Sequence, residues 1–93
     1  MTRLVWTSPA RRDLSAQVQY LAGRNPAVAR RVRDAIREAV ARLIDYPYRG
    51  RPGKVEGTRE LVIAGYPYIV VYRVREARLE VLRVLHTAQD WPH

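Results

Sequence analysis

The sequence contains no cysteine. That excludes a disulfide framework and a thiolate zinc site, and it suits a reducing cytoplasm, the expected location. Acid is scarce: nine Asp and Glu stand against 17 Lys and Arg. Lysine is nearly missing as well, since Lys54 is the single one. Histidine is confined to His86 and His93. No apolar run approaches the roughly 20 residues of a membrane span. The opening MTRLVWTSP holds too short an apolar stretch for a secretory signal, so no membrane partner is expected. There is no internal repeat and no low-complexity tail. There is also no acidic cluster suited to a metal and no glycine loop to cradle phosphate, so no cofactor is expected. Ser8 and Ser15 lack the context of a nucleophile elbow.

What is present is a 93-residue chain with a formal net charge of +8 and a pI near 10.8. The length allows one domain, residues 1–93, with one modest core. A small domain this basic meets nucleic acid or an acidic protein. A GC-rich genome would account for arginine over lysine, but not for the excess over so few acids.

The stretch from Thr58 to His86 organises the rest. Three runs rich in Val, Ile, Leu and Tyr, at Thr58–Ile63, Tyr66–Val74 and Leu79–Leu85, are separated by breaks at Ala64-Gly65 and Arg75–Arg78. This is the pattern of an antiparallel meander. If Ile63 faces Tyr66 and Val74 faces Leu79, alternation divides the side chains into two sets. Arg59, Leu61, Tyr68, Val70, Tyr72, Val81, Arg83 and Leu85 share one face. Glu60, Val62, Ile69, Val71, Arg73, Glu80, Leu82, Val84 and His86 share the other. Arg73 then opposes Glu80 as a cross-strand charge pair. A four-residue first loop keeps this parity, whereas a bulge breaks it. The second face is the more aliphatic and is expected to be the core. The first is expected either to be a solvated face with snorkelling arginines or to be a positive, tyrosine-bearing surface for phosphate or an acidic partner. On the second reading Lys54, Arg59, Tyr68, Tyr72, Arg73 and Arg83 contact the target.

Before the meander, Arg3–Thr7 reads as an edge strand. Ser8-Pro9 reads as an N-cap with proline at the first helical position. The first helix runs to about Ala22 with Ala10, Leu14, Val18 and Leu21 inward, and Gly23 closes it. Asn25-Pro26 repeats the start signal for a second helix to about Asp45, with Ala29, Val32, Ile36, Val40 and Leu43 inward. Tyr46-Pro47 stops it. Tyr48–Gly53 is a glycine-, proline- and arginine-rich loop, and Lys54-Val55 is a candidate for brief strand pairing. Trp91 in the tail is expected to cover a core edge. The fold class is therefore α+β: an N-terminal strand and a two-helix hairpin packed on one face of a small antiparallel sheet that ends in the three-stranded meander.

For chemistry the chain offers His86, close in sequence to Arg83. A histidine beside arginines suits metal-independent cleavage of a phosphodiester, with Arg59 and Arg83 stabilising charge on the phosphate. The competing reading is a strand-end histidine bonded to the tail. A plain nucleic-acid-binding module is a third possibility.

The whole order resembles the RelE/ParE superfamily of toxins from type II toxin–antitoxin modules. Ser8-Pro9-Ala10 with Asp13-Leu14 resembles the opening of its first helix, and Tyr20-Leu21-Ala22 with Asn25-Pro26 its helix turn. Gly50-Arg51-Pro52-Gly53, Gly57-Thr58-Arg59-Glu60-Leu61 and Pro67-Tyr68 with Val71-Tyr72-Arg73-Val74 resemble its meander. Arg83-Val84-Leu85-His86 and Asp90-Trp91-Pro92 resemble its close. The resemblance implies a growth-inhibiting toxin neutralised by a cognate antitoxin whose acidic and apolar segment wraps it. Within the superfamily one branch resembles poisons of DNA gyrase, and another resembles ribosome-dependent messenger-RNA endonucleases. For the nuclease branch, Arg59, Arg73, Arg83 and His86 are the residues available for the catalytic roles, but Lys54 is the only lysine and no tyrosine follows Tyr72. The closing pattern of His86 and Asp90 is nearer the gyrase branch. Whether the chain is an enzyme stays open between the two.

Overall fold

A computed structural model describes residues 2–88. The expectations for Asp90, Trp91, Pro92 and His93 lie outside the described residues. The elements are β1 (Arg3–Trp6), α1 (Ser8–Ala22), α2 (Pro26–Arg42), β2 (Arg51–Pro52), β3 (Arg59–Val62), β4 (Tyr68–Arg75) and β5 (Arg78–His86). The sheet runs β1-β5-β4-β3-β2. The meander is antiparallel, and β1 joins β5 in parallel, so the five-stranded sheet is mixed.

The first helix is capped one residue earlier than Ser8. Thr7 is extended, its Oγ1 accepts from the Ala10 N–H at 3.4 Å, and Pro9 sits in the first turn. The shift has a cause in the sheet. The Thr7 backbone N–H donates to the Val81 carbonyl at 3.1 Å and its hydroxyl donates to the same oxygen at 2.7 Å. The residue is therefore held extended as the strand ends. Asn25 caps α2 as its sequence implies, with Oδ1 accepting from the Val28 N–H at 3.3 Å. That helix ends at Arg42, short of Asp45. Its last turn tightens into three-residue bonds from Leu43, Ile44 and Asp45, ahead of Pro47, which disfavours helical backbone at Tyr46.

The expected stripe of α2 is the heart of the core. Val32, Ile36, Val40 and Leu43 are at most 2% exposed, each worth about 1.5–3 kcal/mol of burial. From α1 only Ala10 is fully buried, while Leu14 and Leu21 are partly covered. The sheet meets the helices with Tyr68, Val70, Tyr72, Leu79, Val81 and Val84. The tyrosine-bearing face is thus the helix-packed core, not the exposed surface that its arginines implied. A phenol ring buries much apolar area and needs only one polar acceptor at its tip.

Two details of register produce the rest. The first hairpin has a four-residue loop: Ile63 donates to Tyr68 at 3.0 Å, Gly65 turns with φ +83°, and Pro67 has no N–H for the ladder. The expected parity of β3 and β4 survives, with Arg59 opposite Tyr72 and Glu60 opposite Val71. Between β4 and β5, Val74 faces Leu79 and Arg73 faces Glu80 as expected. Then the register shifts: Tyr72 faces Val81, but Val71 faces Arg83, and Leu82 is the extra residue of a bulge. From there on every β5 side chain changes face. Val84 moves into the core, and Arg83 moves to the face opposite Arg59.

Candidate functional site

Each arginine nominated in the strands has an internal partner. Arg83 donates from Nε to Asp13 Oδ2 at 2.7 Å and from Nη2 to Oδ1 at 3.2 Å. The same Oδ2 accepts the Val84 backbone N–H at 2.9 Å. β1 covers the outer edge of β5 only from Arg78 to Val81. Asp13 thus closes the edge where β1 has stopped, and it neutralises the arginine beside it. The carboxylate raises the pKa of the Arg83 guanidinium, chiefly through the hydrogen bond. Arg73 donates to Glu80 at 2.6 Å, and Arg78 adds a second contact at 3.4 Å. That bond, ahead of the surrounding positive charge, holds the Glu80 carboxyl below its usual pKa. On the same face Arg51 pairs with Glu60 at 3.1 Å.

Arg59 behaves differently. It donates from Nη1 to the carbonyls of Gly50 at 2.7 Å and Tyr48 at 3.3 Å. Its guanidinium lies 5.0 Å from the Tyr48 ring centroid. Next to it, the Tyr72 hydroxyl donates to the Pro47 carbonyl at 2.8 Å and accepts the Gly50 N–H at 2.8 Å. Burial pushes the Tyr72 phenol up, with Gly50 and Arg59 offsetting part of the shift. Gly50 is required here: a Cβ would stand 2.7 Å from the Tyr72 hydroxyl and 2.9 Å from the Glu60 carbonyl. Arg59 and Tyr72 therefore fasten the loop between α2 and β2 from below.

Tyr68 is buried, which raises its phenol pKa, and it meets the His86 ring edge-on at 5.4 Å. His86 Nδ1 accepts the Ala88 N–H at 3.1 Å, the bond of a strand-end histidine. Lys54 is exposed in a bend; the brief strand lies at Arg51–Pro52 instead, paired with β3.

The nominated residues do not converge. Arg59 and Arg83 face opposite sides of the sheet. Along β4 the partners of Arg59 and His86, Tyr72 and Tyr68, are four residues apart. That is roughly 13 Å, and β3 and β5 lie two strand spacings of about 4.8 Å from one another. Among the described residues no three His, Cys, Asp or Glu side chains gather as a metal site, and no helix is long and apolar enough to cross a membrane.

The surface offers two features that the strand reading passed over. One is a groove of about 560 Å³ floored by Trp6, Leu14 and Val18 and edged by Arg11, Arg33 and Arg37. The other is the loop at Tyr46–Arg49, whose two tyrosines are exposed. Val18 was assigned to the core by its spacing, yet it is only partly covered and lines the groove. The sequence signal for the loop was two tyrosines flanking a proline outside any apolar period.

A family model described as the ParE toxin of the type II toxin–antitoxin system parDE matches residues 4–91. The protein Y4kP of Sinorhizobium fredii is 43% identical over 97% of this chain and 93% of its own. The toxin RelE2 of Caulobacter vibrioides is 34% identical over 96% of this chain and 99% of its own. Among solved structures, a chain of the chromosomal ParDE toxin–antitoxin system from P. aeruginosa superposes with a TM-score of 0.84 at 29% identity, covering 92% of this chain and 96% of that one. A mutant toxin from Helicobacter pylori shares the fold at a TM-score of 0.61 and 20% identity, covering 92% and 94%. With the strand, helical hairpin and meander in this order, the chain belongs to the ParE toxin family of type II toxin–antitoxin systems.

Proposed function

We infer that this toxin restrains growth by binding DNA gyrase, and that it does not cut ribosome-bound messenger RNA. One observation carries the choice: the residues that a nuclease would use are apart and occupied. General acid–base cleavage needs a proton-transfer group and charge-stabilising cations around one phosphate. Here Arg83 is committed to Asp13 and Arg73 to Glu80, and Arg59 is committed to two loop carbonyls. Arg59 is also far from His86 along the sheet. The likeness to the P. aeruginosa ParDE chain supports the same side, while the name of the Caulobacter relative belongs to the other branch; names alone do not decide it.

Membership of the family implies an antitoxin partner. The groove between the helices and β1 is where we place it. An apolar floor edged by three arginines fits an amphipathic segment with acidic residues along one side. Its neutralising segment then lies on the helical hairpin.

The experiment is controlled expression of this chain alone in a bacterial host, sampling DNA supercoiling and messenger integrity within minutes. Relaxed or cleaved DNA with intact messages is the expected result. Messages cut inside translated frames, with cutting lost in His86→Ala, would reverse the assignment to a metal-independent endoribonuclease.

A further inference from the structure

We propose that the loop between α2 and β2 is a stacking platform for single-stranded nucleic acid, with Tyr46 and Tyr48 as the base-contacting side chains. The two residues are 63% and 66% exposed, the largest such values among the big apolar residues described. Together with Pro47 and Arg49 they line one shallow hollow of about 490 Å³. Tyr48 also borders a second hollow of about 310 Å³, shared with Pro52, Thr58 and Arg59. One exposed ring thus stands between two spaces, each open to a flat ligand.

Exposed aromatic rings on a loose loop would be ordinary surface. This loop is not loose. The Arg49 N–H closes a turn on the Tyr46 carbonyl at 3.1 Å. The Pro47 carbonyl and the Gly50 N–H are both held by the buried Tyr72 hydroxyl. The Tyr48 and Gly50 carbonyls are held by Arg59. The backbone is therefore fixed before any ligand arrives, and little ordering cost falls on binding. The fold also leaves Gly50 no room for a side chain, so the shape of the loop is enforced from the core outwards.

The chemistry around the rings selects the ligand. Residues 42–60 hold five cations, Arg42, Arg49, Arg51, Lys54 and Arg59, against Asp45, Glu56 and Glu60, the last paired with Arg51. Phosphates spaced along a strand meet that positive field, and bases present flat faces to the tyrosines. A duplex keeps its bases stacked on one another and offers only its phosphates, so the tyrosines favour a single strand. Arg59 beneath Tyr48 adds a fixed positive charge without leaving its two carbonyls.

The test needs neither gyrase nor ribosomes, so it stands apart from the target assignment. The full chain is titrated into a fluorescein-labelled oligothymidylate of about twelve nucleotides, at low and at physiological salt, and anisotropy is read. Wild type binds, more weakly as salt rises. Tyr46→Ala and Tyr48→Ala each weaken binding roughly 5- to 100-fold. Tyr48→Phe restores it, because stacking needs the ring and not the hydroxyl. Binding to a duplex of the same length is unchanged by any of the three. Both side chains are exposed, so the variants fold, and a melting curve confirms it. The proposal falls if wild type does not bind the oligonucleotide, or if both alanine variants bind it as wild type does. It also falls if they keep oligonucleotide affinity but lose the cognate antitoxin, which would give the rings to a protein partner.

Discussion

Replacing Asp13 separates a structural arginine from a target-binding one. In Asp13→Ala two groups lose their acceptor. The Val84 N–H belongs to a residue with no exposure, and leaving such a donor unsatisfied costs about 1–3 kcal/mol. The Arg83 side chain is 28% exposed, so its guanidinium keeps part of its hydration. The 3–5 kcal/mol typical of a fully buried broken pair therefore shrinks to about 1 kcal/mol here. The sum is about 2–4 kcal/mol, against a total stability of about 5–15 kcal/mol for such a domain. At about 4–8 °C per kcal/mol the melting temperature falls by about 8–32 °C. In Arg83→Ala the carboxylate still accepts from Val84, so only the ion pair is lost, about 1 kcal/mol. Asp13→Asn keeps an acceptor and falls between the two. Urea and thermal unfolding of the antitoxin-free chain measure all three. If Asp13→Ala lies within about 0.5 kcal/mol of wild type, or if Arg83→Ala is the worse of the pair, the edge-closing role of Asp13 is refuted. Growth inhibition adds a second readout. Arg83→Ala should remain inhibitory at any temperature where it is folded, because Arg83 is committed to α1.

Tyr72→Phe removes the hydroxyl that joins Pro47 to Gly50, and a loss of about 1–3 kcal/mol is expected; hydrogen exchange at the Gly50 amide reports the loosening directly. Ile36→Ala empties a site with no exposure at the centre of α2, so about 2–5 kcal/mol is lost in the same unfolding assays. Glu80 gives the pH prediction. Its carboxyl titrates lower in the folded chain than the ordinary 4.5, chiefly because Arg73 donates to it. As pH drops, the unfolded chain takes up that proton first. The extra stability is therefore present above about 4.5 and lost as pH falls through the folded value. Arg73→Ala should flatten this acid limb in a stability–pH series. An unchanged limb would show that the Arg73 bond does not set it.

The sequence was most legible where one physical signal acted alone. Asn25-Pro26 caps α2, and the apolar stripe from Val32 to Leu43 is buried as its spacing implies. The breaks of the meander fall where Gly65 and the Glu76-Ala77 turn lie. The faces of the sheet were not legible, for two reasons. Arg83-Val84-Leu85 alternates equally well in either register, so no local signal marks Leu82 as the residue that drops out of the pairing. And the more aliphatic face is not the core face here. Tyr72 buries its ring because its hydroxyl finds polar partners in a loop more than twenty residues away in sequence. Asp13 was visible only as part of a helix opening; its pairing with Arg83 spans 70 residues, and no periodicity reports that.

The arginines themselves sort by where the fold puts them. An arginine in the middle of a strand draws attention as a functional residue, yet a half-buried charge requires a partner, and the nearest partner is inside the protein. Asp13 and Glu80 serve Arg83 and Arg73 in that way. These cations steady the sheet and have little left for a ligand. The surplus charge lies elsewhere. Arg11 and Arg37 stand on the exposed rim of the helical groove, and Arg49 stands beside the two exposed tyrosines. The groove and the tyrosine loop share no lining residue. A chain with an amphipathic segment seated in the groove therefore still presents Tyr46 and Tyr48, so neutralisation by that segment and contact with a single strand are separable by mutation.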